Sequence, residues 1–166
     1  MKHGAIFILF GLIPLVASCA SQPVRLTAVG PSPSGGGSTS VGDGRLQAFT
    51  ETREYADDDV YYFPHSGYQI FTPDGKRFRY VWNHNTQQDE DPTLVTLPAG
   101  HYLLRADAEF CGRVLVPVVI KPDQTTRVVL EPGWKPNRRV SPADLVQTPN
   151  GYFVGWRADL SRNSQD

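Results

Sequence analysis

Chemistry in this chain would have to come from a few scattered side chains: three internal histidines, two acidic runs, one mid-chain cysteine and a cluster of aromatics. His65, His84 and His101 lie far apart, with no i, i+2 or i, i+4 pair to seat a zinc ion from one element. Asp57-Asp58-Asp59 and Asp89-Glu90-Asp91 offer oxygen ligands, but neither has the spaced form of a calcium loop. Consecutive carboxylates on an extended chain cannot all converge on one ion, so solvated loop charge is expected. His84 shares its loop with Asp89 and Asp91, which makes a metal-dependent hydrolase the third-ranked function. No Gly-x-Ser-x-Gly elbow occurs, Ser66-Gly67 after His65 reads as a turn, and no glycine-rich phosphate loop follows a strand. Cys111 has no activating base near it in sequence and is expected to be a small half-buried thiol. The chain is therefore expected not to be an enzyme, and to need no cofactor or metal.

Aromatic side chains are the remaining candidates. Tyr61-Tyr62-Phe63-Pro64-His65 is dense with rings, and Trp82 closes a strand-like run. Exposed rings of this kind stack on sugar faces and anchor interfaces. Tyr61, Tyr62, Phe63, His65 and Trp82 are thus the possible ligand-binding positions. In so small a domain the same rings are also expected to cap the open ends of the core.

The elements that must position these residues begin after an export signal. Lys2 and His3 precede an uncharged, mostly apolar run from Gly4 to Ala17, broken by Pro14. About fourteen residues is short of the roughly twenty that a spanning helix needs, and fits the apolar core of a secretory signal. Val16-Ala17-Ser18-Cys19 follows, and it resembles the lipobox of bacterial lipoproteins. That resemblance implies removal of residues 1–18, a diacylglycerol on Cys19 and acylation of its new amine. Two or three chains anchor stably where one is marginal. Ala20, in place of an Asp that favours inner-membrane retention, points by the same resemblance to the outer membrane, facing periplasm or cell surface. Lipid on Cys19 would leave Cys111 without an intrachain disulfide partner.

Residues 19–44, with Gly30-Pro31-Ser32-Pro33-Ser34-Gly35-Gly36-Gly37, read as a flexible tether of roughly 25–30 Å reach. Strand patterns start at Leu46. Tyr68–Thr72 and Phe78–Trp82 flank Pro73-Asp74-Gly75 as a hairpin, and Thr93–Leu97 follows a polar loop. Tyr102, Leu104, Ala106, Ala108 and Phe110 alternate with Arg105, Asp107 and Glu109 (Leu103 is the exception), the signature of a half-buried antiparallel strand. Val114, Val116, Val118 and Ile120 repeat the pattern, although Pro117, lacking a donor, predicts an edge strand or a bulge. Thr125–Glu131 completes about seven short strands, an all-β sandwich pattern over 45–132. Fourteen prolines and fifteen glycines agree with many turns.

Leu97-Pro98-Ala99-Gly100-His101-Tyr102, Val116-Pro117-Val118-Val119-Ile120 and Gln124-Thr125-Thr126 resemble the carboxypeptidase-regulatory-like, or transthyretin-like, β-sandwich modules. The resemblance covers about forty residues and implies an immunoglobulin-like antiparallel sandwich used for binding or spacing, not catalysis. Residues 133–166 depart from it. Asn150-Gly151 and an apolar Tyr152–Trp156 strand predict an extension that packs back on the domain, and Pro142–Val146 one helical turn capped by Ser141. Without residues 1–18, fifteen basic face seventeen acidic side chains, so nothing in the charge balance calls for nucleic acid. The expected function is a lipid-anchored, non-catalytic binding or scaffolding protein of the envelope, with the membrane, an envelope protein or a glycan as partner. A carbohydrate- or peptidoglycan-binding module is the second expectation.

Overall fold

The structure, a computed structural model, describes residues 22–33, 42–109, 111–136 and 140–158. The lipobox with Cys19, Phe110 and the last residues lie outside the described set. Among the described residues the chain forms thirteen short strands. The first seven are β1 (Val24–Arg25), β2 (Val29–Gly30), β3 (Asp43–Phe49), β4 (Tyr55–Asp57), β5 (Val60–Tyr62), β6 (Tyr68–Phe71) and β7 (Arg77–Val81). Then come β8 (Leu94–Pro98), β9 (Gly100–Ala108), β10 (Gly112–Ile120), β11 (Thr125–Val129), β12 (Leu145–Gln147) and β13 (Phe153–Arg157). A single 3₁₀ turn, Pro142–Asp144, precedes β12, with the Ser141 hydroxyl accepting from Ala143 N at 3.3 Å. No described helix is long and apolar enough to cross a membrane.

The strands build an all-β body of two sheets and a hairpin. The larger sheet runs β12-β13-β2-β10-β9-β6-β7, with β1 also paired to β10; the smaller runs β11-β3-β8; β4 and β5 pair with each other. Period two explains the core. On β9 and β10 the alternate residues Leu104, Ala106, Ala108, Val114, Val116, Val118 and Ile120 are buried. They share one cluster with Leu46, Ala48, Val95, Leu97 and Val128 of the smaller sheet. Burying each larger aliphatic contributes about 1.5–3 kcal/mol relative to exposure, so this shared interior is what holds the sheets face to face. At one end main-chain bonds tie them as well: Glu51 N donates to Asp107 O at 3.0 Å and Glu109 N to Leu130 O at 2.8 Å.

Three expectations need correction. The ladders are not all antiparallel: β1 and β2 run parallel to β10, and β11 parallel to β3. Residues 24–30 are not flexible tether. They supply β1 and β2 and bury Leu26 and Val29, because Val24, Leu26 and Val29 give this stretch apolar surface that the Gly/Ser-rich run after it lacks. Residues 34–41 of that tether are not among those described. Nor is β10 an edge strand, for β9 flanks it on one side and β1 and β2 on the other. Leu115 O accepts from Leu26 N at 2.8 Å, so alternation turns the Pro117 main chain toward the same side. There pairing lapses between Arg25, opposite Leu115, and Val29, opposite Val118. The partner strand is interrupted where proline has no N–H to give.

The C-terminal segment packs back as its apolar strand suggests. β13 pairs with β2, and Val146 and Val154 join the core. Gly155 is required there: a Cβ would lie 2.7 Å from both Arg127 O and Val29 Cγ1.

Candidate functional site

The outer face of the larger sheet mixes polar, aromatic and aliphatic side chains, and one cross-strand row defines its centre. Tyr80 on β7 faces Gln69 on β6, Gln69 faces Arg105 on β9, Arg105 faces Leu115 on β10, and Leu115 faces Arg25 on β1. Beside that row Asp107 pairs across the ladder with Arg113, whose Nε donates to Asp107 Oδ1 at 3.2 Å. Two walls rise over this floor and make a groove of about 560 Å³, within the range of small-ligand sites.

One wall is a twisted hairpin between residues 51 and 66. Its root is stitched by Ser66 N to Glu51 O at 2.8 Å and Arg53 N to Pro64 O at 3.1 Å, and its upper part is β4 and β5. Asp58 and Asp59, at φ 44° and 64°, form the two-residue turn. Aspartate tolerates the left-handed region, and two such residues match the right-handed twist of a hairpin. Arg53, Glu54 and Tyr55 face the groove.

The opposite wall is the end of β7 and the following loop, carrying Trp82, His84 and Gln87. Trp82 is 71% exposed, its ring held edge-on against Tyr80 at 5.0 Å between centroids. Tyr80 lies down across β6 because residue 67 is glycine; a Cβ there would be 2.2 Å from the tyrosine hydroxyl. Two contacts bridge the walls: Gln88 Nε2 donates to Asp57 Oδ2 at 3.0 Å, and Phe63 N to Glu90 Oε1 at 2.7 Å.

A buried polar network fixes the Trp82 wall from behind. Asn83 is fully buried at φ 67°. Its amide donates to Ala48 O at 2.9 Å, Thr50 Oγ1 at 3.0 Å and Ser66 O at 3.3 Å. Thr50 Oγ1 in turn donates to Ser66 O at 2.6 Å. A carbonyl can only accept, so the 2.7 Å contact between His65 Nδ1 and Thr50 O puts the proton on Nδ1. His84 Nδ1 likewise donates to His65 O at 2.9 Å.

The sequence candidates thus separate. Trp82 lines the groove as an exposed ring. His65 also lines the groove but is only 4% exposed, edge-on to Phe49 at 5.6 Å. Tyr62 packs behind Tyr55 at 6.4 Å, one layer back from the groove. Tyr61 and Phe63 are exposed on the hairpin without lining the groove. Exposure of Tyr61, Phe63 and Trp82 also corrects the expectation that these rings cap the core, where Tyr68 is the largest fully buried side chain.

Sequence reasoning missed Arg53, Tyr55, Gln69, Tyr80, Arg105 and Arg113. For Gln69, Tyr80 and Arg105 the signal was their shared outer-face parity on strands already recognised. Tyr55 could have been found from Asp58-Asp59 as a hairpin turn with tyrosines on either side.

The side chains considered for hydrolysis all lie among the described residues. Asp89 accepts from Asn85 N at 3.2 Å, Asn85 Nδ2 at 2.8 Å and Asp91 N at 3.2 Å, closing its own loop. Those hydrogen bonds, those from Asn85 foremost, hold its carboxyl below the ordinary range. Among the described residues no three His, Cys, Asp or Glu side chains come together to hold a metal ion. Ser66 and His65 are adjacent in sequence but are not hydrogen-bonded as a nucleophile–base pair, since the buried Ser66 Oγ has no hydrogen-bond partner among the described residues. Cys111 is half-buried against the core, with Asn150 Nδ2 3.7 Å from its sulfur. No protein-family model matches the chain, and neither a curated protein nor a solved structure is significantly similar to it.

Proposed function

We propose that this chain is an exported, lipid-anchored envelope protein whose β-body is a non-catalytic binding module, and that its groove holds a saccharide. The observation that carries the reading is the groove's composition. An exposed indole stands beside planar hydrogen-bonding side chains, Gln69, Gln87 and Arg105, over an open cleft of about 560 Å³. An aromatic face covers the apolar C–H side of a sugar ring, and amide and guanidinium groups answer its hydroxyls. The groove is open and largely polar, unlike the enclosed apolar pocket of a drug-like ligand.

The anchor rests on the sequence from Val16 to Cys19, and Ala20 favours the outer membrane. On this reading the leash is short. Val24 is already paired with Val114, five residues past Cys19, and such a segment spans at most about 18 Å. The body would sit against the headgroup layer and not swing on a long tether. The two-sheet body is read further as a divergent transthyretin-like sandwich. The Leu97–Tyr102 motif crossing from β8 in one sheet to β9 in the other supports this.

Titration of the full chain in detergent with a panel of envelope glycans tests the function through tryptophan emission. A change on binding that disappears in Trp82→Phe is expected. Emission that stays constant across the panel would sink the saccharide reading.

A further inference from the structure

We infer that the saccharide is acidic, with its carboxylate or phosphate seated at the arginine end of the groove; this deepens the saccharide reading and rests on it. Three guanidinium groups, those of Arg53, Arg105 and Arg113, line one stretch of the cleft. Arg113 meets Asp107 through Nε, at 3.2 Å from Oδ1. Arg105 is held in place by a bond to Gln69 Oε1 and by the Phe71 ring 5.2 Å from its guanidinium carbon. The Arg53 guanidinium has no partner among the described residues, and only its main-chain N–H bonds, to Pro64 O. Arg25, one position beyond Leu115 in the same row, extends the basic stretch.

This grouping is not a consequence of bulk charge, because the whole chain has a net charge of −1. Two acids also line the cleft, Glu54 and Asp107, the latter already paired with Arg113, while Asp57, Glu90 and Asp89 bond at the bridge between the walls, outside the lining. The lining therefore carries three guanidinium groups against two carboxylates, one of which is engaged. A neutral sugar offers a guanidinium only neutral acceptors. An oxyanion gains charge-assisted, bidentate hydrogen bonds, about twice as strong as neutral ones. The row from Tyr80, which holds Trp82, through Gln69 to Arg105 sets direction, with the acid over Arg53 and Arg105 and the sugar face toward Trp82. Guanidinium geometry suits carboxylate and phosphate alike, so the shared feature is an oxyanion on a sugar.

Calorimetric titration of the full chain in detergent with maltose, digalacturonate and glucose 6-phosphate separates the possibilities. At least one acidic probe should bind tenfold or more tightly than maltose, and the better of the two identifies the oxyanion. Arg53→Ala and Arg105→Ala should each erase most of that preference, while Arg45→Ala on the smaller sheet should not. Equal affinity for all three probes, or a preference indifferent to Arg53 and Arg105, would overturn the acidic ligand and leave the groove as a sugar site. Binding of none of the three would overturn the saccharide reading with it.

Discussion

Removing the Asn83 amide should cost this fold more than any other single surface-proximal change, and the size can be worked from its contacts. Two amide protons serve three acceptors, on Ala48, Thr50 and Ser66. In Asn83→Gly, Ser66 O keeps the Thr50 hydroxyl as donor, but Ala48 O loses its side-chain partner. A buried hydrogen bond is worth about 1 kcal/mol net, and an orphaned acceptor costs about 1–3 kcal/mol. Loss of the side chain also removes the buried Asn83 Oδ1, which has no hydrogen-bond partner among the described residues, so the glycine variant should lose about 1–3 kcal/mol. Asn83→Ala should lose about 1 kcal/mol more, because its backbone sits at φ 67°, where an ordinary Cβ is strained and asparagine is tolerated. Against typical domain stabilities of about 5–15 kcal/mol, either loss is large. Urea unfolding followed by tryptophan fluorescence, with linear extrapolation, measures both. If the two variants lie within about 0.5 kcal/mol of the parent, the network does not hold this wall. If glycine and alanine cost the same, the left-handed backbone at this residue carries no strain.

Other expectations are more local. Tyr68 is buried and its hydroxyl has no hydrogen-bond partner among the described residues. Burial raises its pKa above the ordinary 10.0, with Arg79 opposing weakly. A raised folded pKa stabilises the fold below about pH 10 and is lost as pH rises above it, where the unfolded phenol ionises first. Tyr68→Phe should therefore be neutral or stabilising by about 1 kcal/mol near neutrality, and its urea midpoint should fall less than the parent's from about pH 9 to 11; parallel declines would contradict this. Gly155→Ala should destabilise by about 1–3 kcal/mol, since its Cβ meets a backbone carbonyl that cannot yield; an unchanged melting temperature would mean that β13 does not pack so closely on β11 and β2. Mass spectrometry of the mature N-terminus should find Cys19 acylated, and Cys19→Ser should release the chain from membranes under alkaline carbonate. An unmodified Cys19, or a serine variant that still pellets, would remove the anchor.

Period two made the inner faces of β9 and β10 legible, because Leu104, Ala106 and Ala108 alternate with charge on β9 and Val114, Val116, Val118 and Ile120 keep the same parity on β10. The β6–β7 hairpin was equally plain from Pro73-Asp74-Gly75, and Gly75 adopts φ 84°. Less visible were elements whose stability is tertiary. β1 and β2 are two residues each, too short to show a period, and depend on the exposed side of β10. The position of β10 was misjudged because proline's missing donor is accommodated by a gap in a neighbour distant in sequence. Trp82 was recognisable as a ring but not as part of a groove, since its wall depends on Asn83 reaching across to β3. Outer-face parity marks Arg105, but the grouping of the arginines carries no local signal. Their meaning comes from ladder register, which sets Arg105 beside Gln69 and Arg113 beside Asp107.

Whether the cleft over β6 and β9 receives a sugar can be read directly from amide and indole chemical shifts of the isotopically labelled chain during titration with oligosaccharides from bacterial envelopes. Shifts concentrated at the Trp82 indole, the Gln69 and Gln87 side-chain amides and the Gly67 backbone are predicted, saturating together at one affinity. Shifts scattered over the smaller sheet, or centred on Leu94 at its β8 edge, would contradict the assignment of this groove as the binding site.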